Sequence, residues 1–141
     1  MSVERFLDTN ILLYGYDRDA GPKREIATDL VADGWRRLGR TAISVQVLQE
    51  FYLNLIRFGQ SHDQARLVIE DLTNWPVIDN TLECFGHGLT LCERFKLSLW
   101  DAMILAAAKA SGARELFTED LNHGQDYDGV LVLNPFRQAE G

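Results

Sequence analysis

Four carboxylates of this chain stand where a carboxylate is locally awkward: Asp8, Glu50, Asp101 and Asp120. Asp8 follows the apolar pair Phe6-Leu7, and Asp120 closes Leu116-Phe117-Thr118-Glu119-Asp120, so both are expected just past strand C-termini. Asp101 begins the run from Ala102 to Ala108, which is apolar on every side and reads as a buried helix. Acidic residues are seldom buried unless paired or bound to a metal. Two unit charges about 5 Å apart repel by roughly 3 kcal/mol at an effective dielectric of about 20. Acids gathered in one pocket therefore need a proton or a cation among them, and a divalent cation is the obvious partner.

Taken singly, each acid also has an ordinary structural use. Asp8 suits the cap of a helical turn at Ile11-Leu12-Leu13, and Asp101 suits a capping box with Ser98 and the dipole of its helix. Glu50 lies about 200° around its helix from Leu48, where periodicity alone places a solvated side chain. Asp120 in Glu119-Asp120-Leu121-Asn122 suits a turn. What favours a joint role is location, because helix N-termini and strand C-termini meet at one edge of a parallel sheet, and three of the four acids are expected there.

The elements that would position them alternate. Strands are expected at 3–7, 41–43, 76–78, 115–118 and 129–133. Helices are expected at 23–37, from the Ser44 cap to Gly59, at 61–72, at 81–95, and from the Ser98 cap to Gly112. In the second of these helices Leu48, Phe51, Tyr52 and Leu55 fall at i, i+3, i+4 and i+7. Strands separated by helices imply an α/β fold with a mostly parallel sheet of about five strands, covered on both faces. Ligands of such sheets gather at strand carboxyl ends, where the strand order reverses.

The 141 residues are expected to form one domain, 1–141. With 46% hydrophobic and 25% charged residues, the composition is that of a folded chain rather than a disordered one. No signal peptide or membrane span is legible, so a cytoplasmic address and no membrane partner are expected. Cys84 and Cys92 lack the second pair a zinc cage needs and are expected as reduced thiols. A net charge of −7 argues against broad nonspecific nucleic-acid binding. Two bound divalent cations would bring it to about −3 and change the local sign far more. Trp35, Trp75 and the phenylalanines are expected in the core. Arg36, Arg37 and Arg40 read as a solvated helix end rather than a phosphate site.

The blocks Phe6-Leu7-Asp8-Thr9-Asn10-Ile11-Leu12, Ser44-Val45-Gln46-Val47-Leu48-Gln49-Glu50-Phe51, Leu99-Trp100-Asp101-Ala102-Met103-Ile104 and Phe117-Thr118-Glu119-Asp120-Leu121 occur in an informative order. Together they resemble the PIN-domain ribonucleases, and within them the VapC toxins of type II toxin–antitoxin pairs, over nearly the whole chain. The resemblance implies a three-layer α/β/α PIN-like fold. It also implies that Asp8, Glu50, Asp101 and Asp120 hold one or two Mg2+ or Mn2+ ions and hydrolyse RNA phosphodiester bonds. Such a metal generates an attacking hydroxide and stabilises charge on phosphoryl oxygens. Asn10 and Thr118 match polar positions that orient the carboxylates, although a helix cap and a strand-end hydroxyl explain them equally well. A homodimer and a small cognate antitoxin covering the acidic cleft are implied as well. His123 and Trp100, beside motif residues, are weaker candidates for RNA contact than for loop packing or core filling.

Other functions fit less well. A haloacid-dehalogenase-type phosphatase needs a second Asp two residues after the first, where this chain has Asn10. A phosphorelay receiver needs a late strand-end Lys, and no Lys follows Lys109. The remaining alternative is a PIN-like module for RNA maturation or partner binding without a toxin role.

Overall fold

Four helices of this chain begin at a hydroxyl that the sequence places one residue ahead of a helical run. Ser44, Ser61, Thr81 and Ser98 accept from the backbone N–H groups of Val47, Gln64, Cys84 and Asp101 respectively, each satisfying a donor that the first helical turn leaves unpaired. Only Ser61 completes a reciprocal capping box, with Gln64. Asp101 does not return the bond to Ser98, so among the described residues its carboxylate is left unused by its own cap.

The computed structural model describes residues 2–137. In chain order the elements are β1 (Arg5–Leu7), α1 (Thr9–Tyr14), α2 (Pro22–Arg36), β2 (Thr41–Ser44), α3 (Val45–Arg57), α4 (His62–Leu72), β3 (Val77–Ile78), α5 (Leu82–Phe95), α6 (Leu99–Ser111), β4 (Glu115–Phe117), β5 (Asp126–Tyr127) and β6 (Val130–Leu133). The strands form one sheet of order β3-β2-β1-β4-β6-β5. Every pairing is parallel except β5 with β6.

Connection handedness explains the layers. The chain steps from β1 to β2 to β3 in one direction and then returns to place β4 on the other side of β1. Right-handed crossovers put α1 to α4 on one face and α5 with α6 on the other. The step order reverses at β1, so the carboxyl ends of β1 and β4 border a crevice. The helix α6 packs on α5 and on β1, β2, β3, β4 and β6, which accounts for the burial of every residue from Ala102 to Ala108.

The sheet has six strands, one more than expected. The extra strand, β5, is two residues long and returns to β6 through Asp128 and Gly129, at φ of 56° and 93°. Positive φ at both positions is what an Asp-Gly hairpin turn requires. The turn signal was in the sequence, but two residues are too few to show strand periodicity. The helix α1 is also longer than the single turn expected. Trp75 is buried as expected, whereas Trp35 packs edge-on against it and remains 39% exposed, and Phe58 and Phe85 are exposed as well. Trp35, Phe58 and Phe85 all lie on a helix or at the end of one rather than in the sheet. Among the described residues no helix is long and apolar enough to cross a membrane.

Gly34 in α2 lets that helix lie against Trp75: a methyl group there would meet Trp75 Cζ2 at 2.5 Å. Gly34→Ala should destabilise the protein by about 1–2 kcal/mol, because overpacking against a rigid indole outweighs the gain in helix propensity. Gly88→Ala, which meets the end of the flexible Met103 side chain, should cost less. Urea unfolding with an unchanged m-value checks both.

Candidate active site

The short strand β1 ends on two buried apolar residues, and its ladder with β4 continues one residue further through the Asp8 N–H, which donates to the Phe117 carbonyl (3.1 Å). This carries the Asp8 side chain into the interior, where it is 7% exposed. Its Oδ1 accepts from the Thr9 N–H (2.7 Å) at the start of α1, and its Oδ2 accepts from the buried Thr118 hydroxyl (2.8 Å). The same Thr118 oxygen accepts from the Asp120 N–H (3.1 Å). One hydroxyl beyond β4 thus sets Asp8 and the backbone of Asp120 relative to each other.

Burial pushes the Asp8 carboxyl up to about 7; bonds from Thr118 and Thr9 oppose this, and repulsion by Asp120 and Glu50 adds to it. Asp120, in the more open loop after β4, is also raised. Desolvation leads, followed by repulsion from Asp101, Glu119 and Glu50, while a hydrogen bond with Asp8 pulls the other way. Burial and mutual repulsion thus both favour a protonated carboxyl at this pair in the metal-free protein.

Glu50, on α3, is half-buried. Its Oε2 accepts from the Thr9 hydroxyl (2.6 Å) and its Oε1 from the Gln46 amide (3.2 Å). Asp101 occupies the first turn of α6, where the Ser98 cap holds its N–H. Asp8, Glu50, Asp101 and Asp120, drawn from four separate stretches of chain, therefore share one edge of the sheet within electrostatic reach of Asp120. They do not form a finished cage: among the described residues no group of three or more His, Cys, Asp or Glu is placed to hold a metal ion.

The surrounding residues take varied roles. Thr118 contacts Asp8 directly. Asn10 is half-buried on α1, and among the described residues its side chain makes no hydrogen bond; the neighbouring Thr9 reaches Glu50 instead. Thr9 and Gln46 are the site residues that sequence reasoning passed over, since neither type announces chemistry. The spacing of Gln46 from Glu50 at i, i+4 was the available signal. Glu119 is turned away toward Tyr14, whose hydroxyl donates to it, and Lys23 (2.9 Å). His123 accepts from the Asn134 N–H (2.9 Å) and so organises its own loop. Trp100 fills no core and is 67% exposed beside Asp101. Arg36, Arg37 and Arg40 pair with Asp33 and Glu4, near the starts of β1 and β2 and away from the acids. Cys84 and Cys92 are free thiols.

A crevice of acids at the switch point of a mostly parallel α/β sheet defines a class of site rather than one protein. The match that narrows it is to the PIN domain family over residues 5–125, and the chain belongs to that family. Its fold is similar to a toxin–antitoxin complex from Klebsiella pneumoniae, with 24% identity, 94% of this chain and 98% of that one covered, and a TM-score of 0.69. It is also similar to VapC20 from Mycobacterium tuberculosis, described as a sarcin-ricin loop cleaving toxin, with 19% identity, 83% and 92% covered, and a TM-score of 0.65. DNA-bound VapBC from Salmonella typhimurium gives 18% identity, 94% and 98% covered, and a TM-score of 0.67. Comparison with curated proteins gives no match.

The raised Asp8 carboxyl has a thermodynamic consequence. Relative to an ordinary value of 3.8, a folded-state value of about 7 means that folding favours the protonated acid. Its contribution to stability is fully present below about pH 4 and is lost as pH rises to about 7. Metal-free protein should therefore melt at a higher temperature at pH 5 than at pH 8, and Asp8→Asn should remove most of that difference. Calorimetric melting with a chelator present checks this.

Proposed function

We propose that this single-domain protein is a metal-dependent endoribonuclease, the toxin of a toxin–antitoxin pair. The observation that carries the reading is the buried Asp8 beside Asp120 at the switch point, with Glu50 and Asp101 close enough to raise the cost of ionising the pair. PIN family membership and the likeness to VapC and VapBC structures support it.

The donor set suits Mg2+ or Mn2+, since all four groups offer hard oxygen ligands and a cation would relieve the same repulsion that a proton relieves in its absence. Mg2+ typically keeps several waters and takes only one or two carboxylates, so it does not require three carboxylates of the described residues to form a cage. Asp8 and Asp120 would hold the ion, with Asp101 and Glu50 contributing charge and further oxygens. When bound, the ion supplies an activated water and neutralises charge developing on the phosphoryl group. The chain's own contribution is positional. Thr118 and the Thr9 N–H fix the two Asp8 oxygens, Asn10 lies one residue further along α1, and Ser98 fixes the backbone of Asp101.

An acidic chain can serve RNA this way because the local field at the crevice changes sign on metal binding, even while the whole stays negative. The same acids would attract an arginine or lysine from a small antitoxin when no metal is bound. A cytoplasmic location and a homodimeric state belong to this reading too.

Asp8→Asn should lower RNA cleavage by about a hundredfold or more while the protein stays folded, because it removes a ligand charge with little change of shape. Products should carry 5′-phosphate and 3′-hydroxyl ends, which end-mapping after brief expression would display. An undiminished rate for Asp8→Asn rules out its ligand role. Separately, Mn2+ should raise the melting temperature of wild type at pH 8, and Asp101→Asn should blunt that rise. Identical melting curves with and without metal would count against the cluster.

A further inference from the structure

Both oxygens of Glu50 are held, as those of Asp8 are, but here by two side chains. Thr9, 4% exposed at the start of α1, donates to Oε2 at 2.6 Å. Gln46, one turn earlier on α3, donates to Oε1 at 3.2 Å, and the same amide nitrogen also donates to the Trp100 carbonyl at 3.3 Å. Both targets of Gln46 are pure acceptors, so the amide must present its nitrogen here and each of its two hydrogens has a use. An i, i+4 pair on a helix surface is commonplace. A pair whose donor also bridges to the first turn of a second helix, opposite a buried hydroxyl from a third, is a brace.

We propose that Thr9 and Gln46 are positioning residues that set Glu50 relative to Asp8 and Asp101. Three elements meet at this carboxylate. Thr9 follows Asp8 directly, so its hydroxyl relates Glu50 to the Asp8 backbone. The Trp100 carbonyl precedes Asp101, so Gln46 relates Glu50 to the turn that carries Asp101. Both donors are neutral, so they orient the glutamate without adding repulsion or consuming its charge. Each occupies one direction on one oxygen, and a carboxylate has about four lone-pair sites, so room for a cation remains. The inference rests on the metal-dependent nuclease reading and adds to it which residues decide where the fourth acid stands.

The test measures Mn2+ affinity by titration calorimetry, the metal-free melting temperature, and RNA cleavage in wild type and variants. Thr9→Val keeps shape and removes the hydroxyl; Gln46→Leu removes both amide bonds. Each should weaken Mn2+ binding about tenfold, as loss of ligand-orienting partners does, with the metal-free melting temperature near that of wild type. Thr9→Ser, which restores the hydroxyl, should recover the affinity. In a Glu50→Gln background neither substitution should weaken binding further, because the group they orient is already altered. Wild-type affinity in both Thr9→Val and Gln46→Leu overturns the inference, as does a lowered melting temperature with affinity intact. Should Thr9→Val fail to fold, Gln46→Leu on the half-exposed side decides alone. If Glu50→Gln binds Mn2+ like wild type while Asp8→Asn does not, the brace fails and the nuclease reading stands. A wild type that neither binds Mn2+ nor cleaves RNA overturns both.

Discussion

Burying the Asp8 carboxylate between β1 and β4 is the constraint to which the rest of the site answers. The backbone leaves no choice about its location, because the Asp8 N–H continues the ladder to Phe117 and the side chain follows inward. A carboxylate so placed is costly when ionised, and nearby Asp120 and Glu50 make it costlier. The fold compensates in part with two hydrogen bonds, from Thr118 and the Thr9 N–H. What they leave uncompensated is available to a proton or a cation.

Topology then explains why the acids lie so far apart in sequence yet share an edge. The reversal of strand order at β1 opens the crevice between the carboxyl ends of β1 and β4 and brings Asp8, Thr118 and Asp120 to it. The helix α6 is buried along its length against the sheet and α5, which fixes the height of its first turn and so of Asp101. Glu50 arrives from α3 on the opposite face. Packing cannot hold a half-solvated glutamate, and hydrogen bonds from Thr9 and Gln46 do so instead. The sheet and α6 thus carry Asp8 and Asp101, the Thr118 hydroxyl holds the loop of Asp120, and a polar brace holds Glu50.

The charges next to the crevice and beyond it have partners of their own, although Glu119 still adds to the repulsion at Asp120. Glu119, next to Asp120 in sequence, engages Tyr14 and Lys23, and Lys23 also lies over the Tyr14 and Phe136 rings at 5.1 and 5.5 Å. The Arg36, Arg37 and Arg40 group pairs with Asp33 and Glu4 near the starts of β1 and β2. The repulsion felt at Asp120 comes from Asp101, Glu119 and Glu50, all close to it in the fold.

The alternating pattern, the caps at Ser44 and Ser98, the stop at Gly112 and the unbroken apolar run of α6 were legible in the chain because each depends on local chemistry or on periodicity. Those same signals put Asp8, Asp101 and Asp120 at one edge. The two-residue strand β5 was not legible, since no period shows in two residues. Nor was the exposure of Trp35 and Trp100, which depends on where covering elements end. Glu50 shows the limit most clearly: helical periodicity turned it toward solvent, and only the approach of α1 across the sheet edge gave it a partner in Thr9. Residue types and their order determined which groups were available for chemistry. Tertiary packing decided how far apart they stand and what holds them, because those distances arise from contacts between segments that no local pattern encodes.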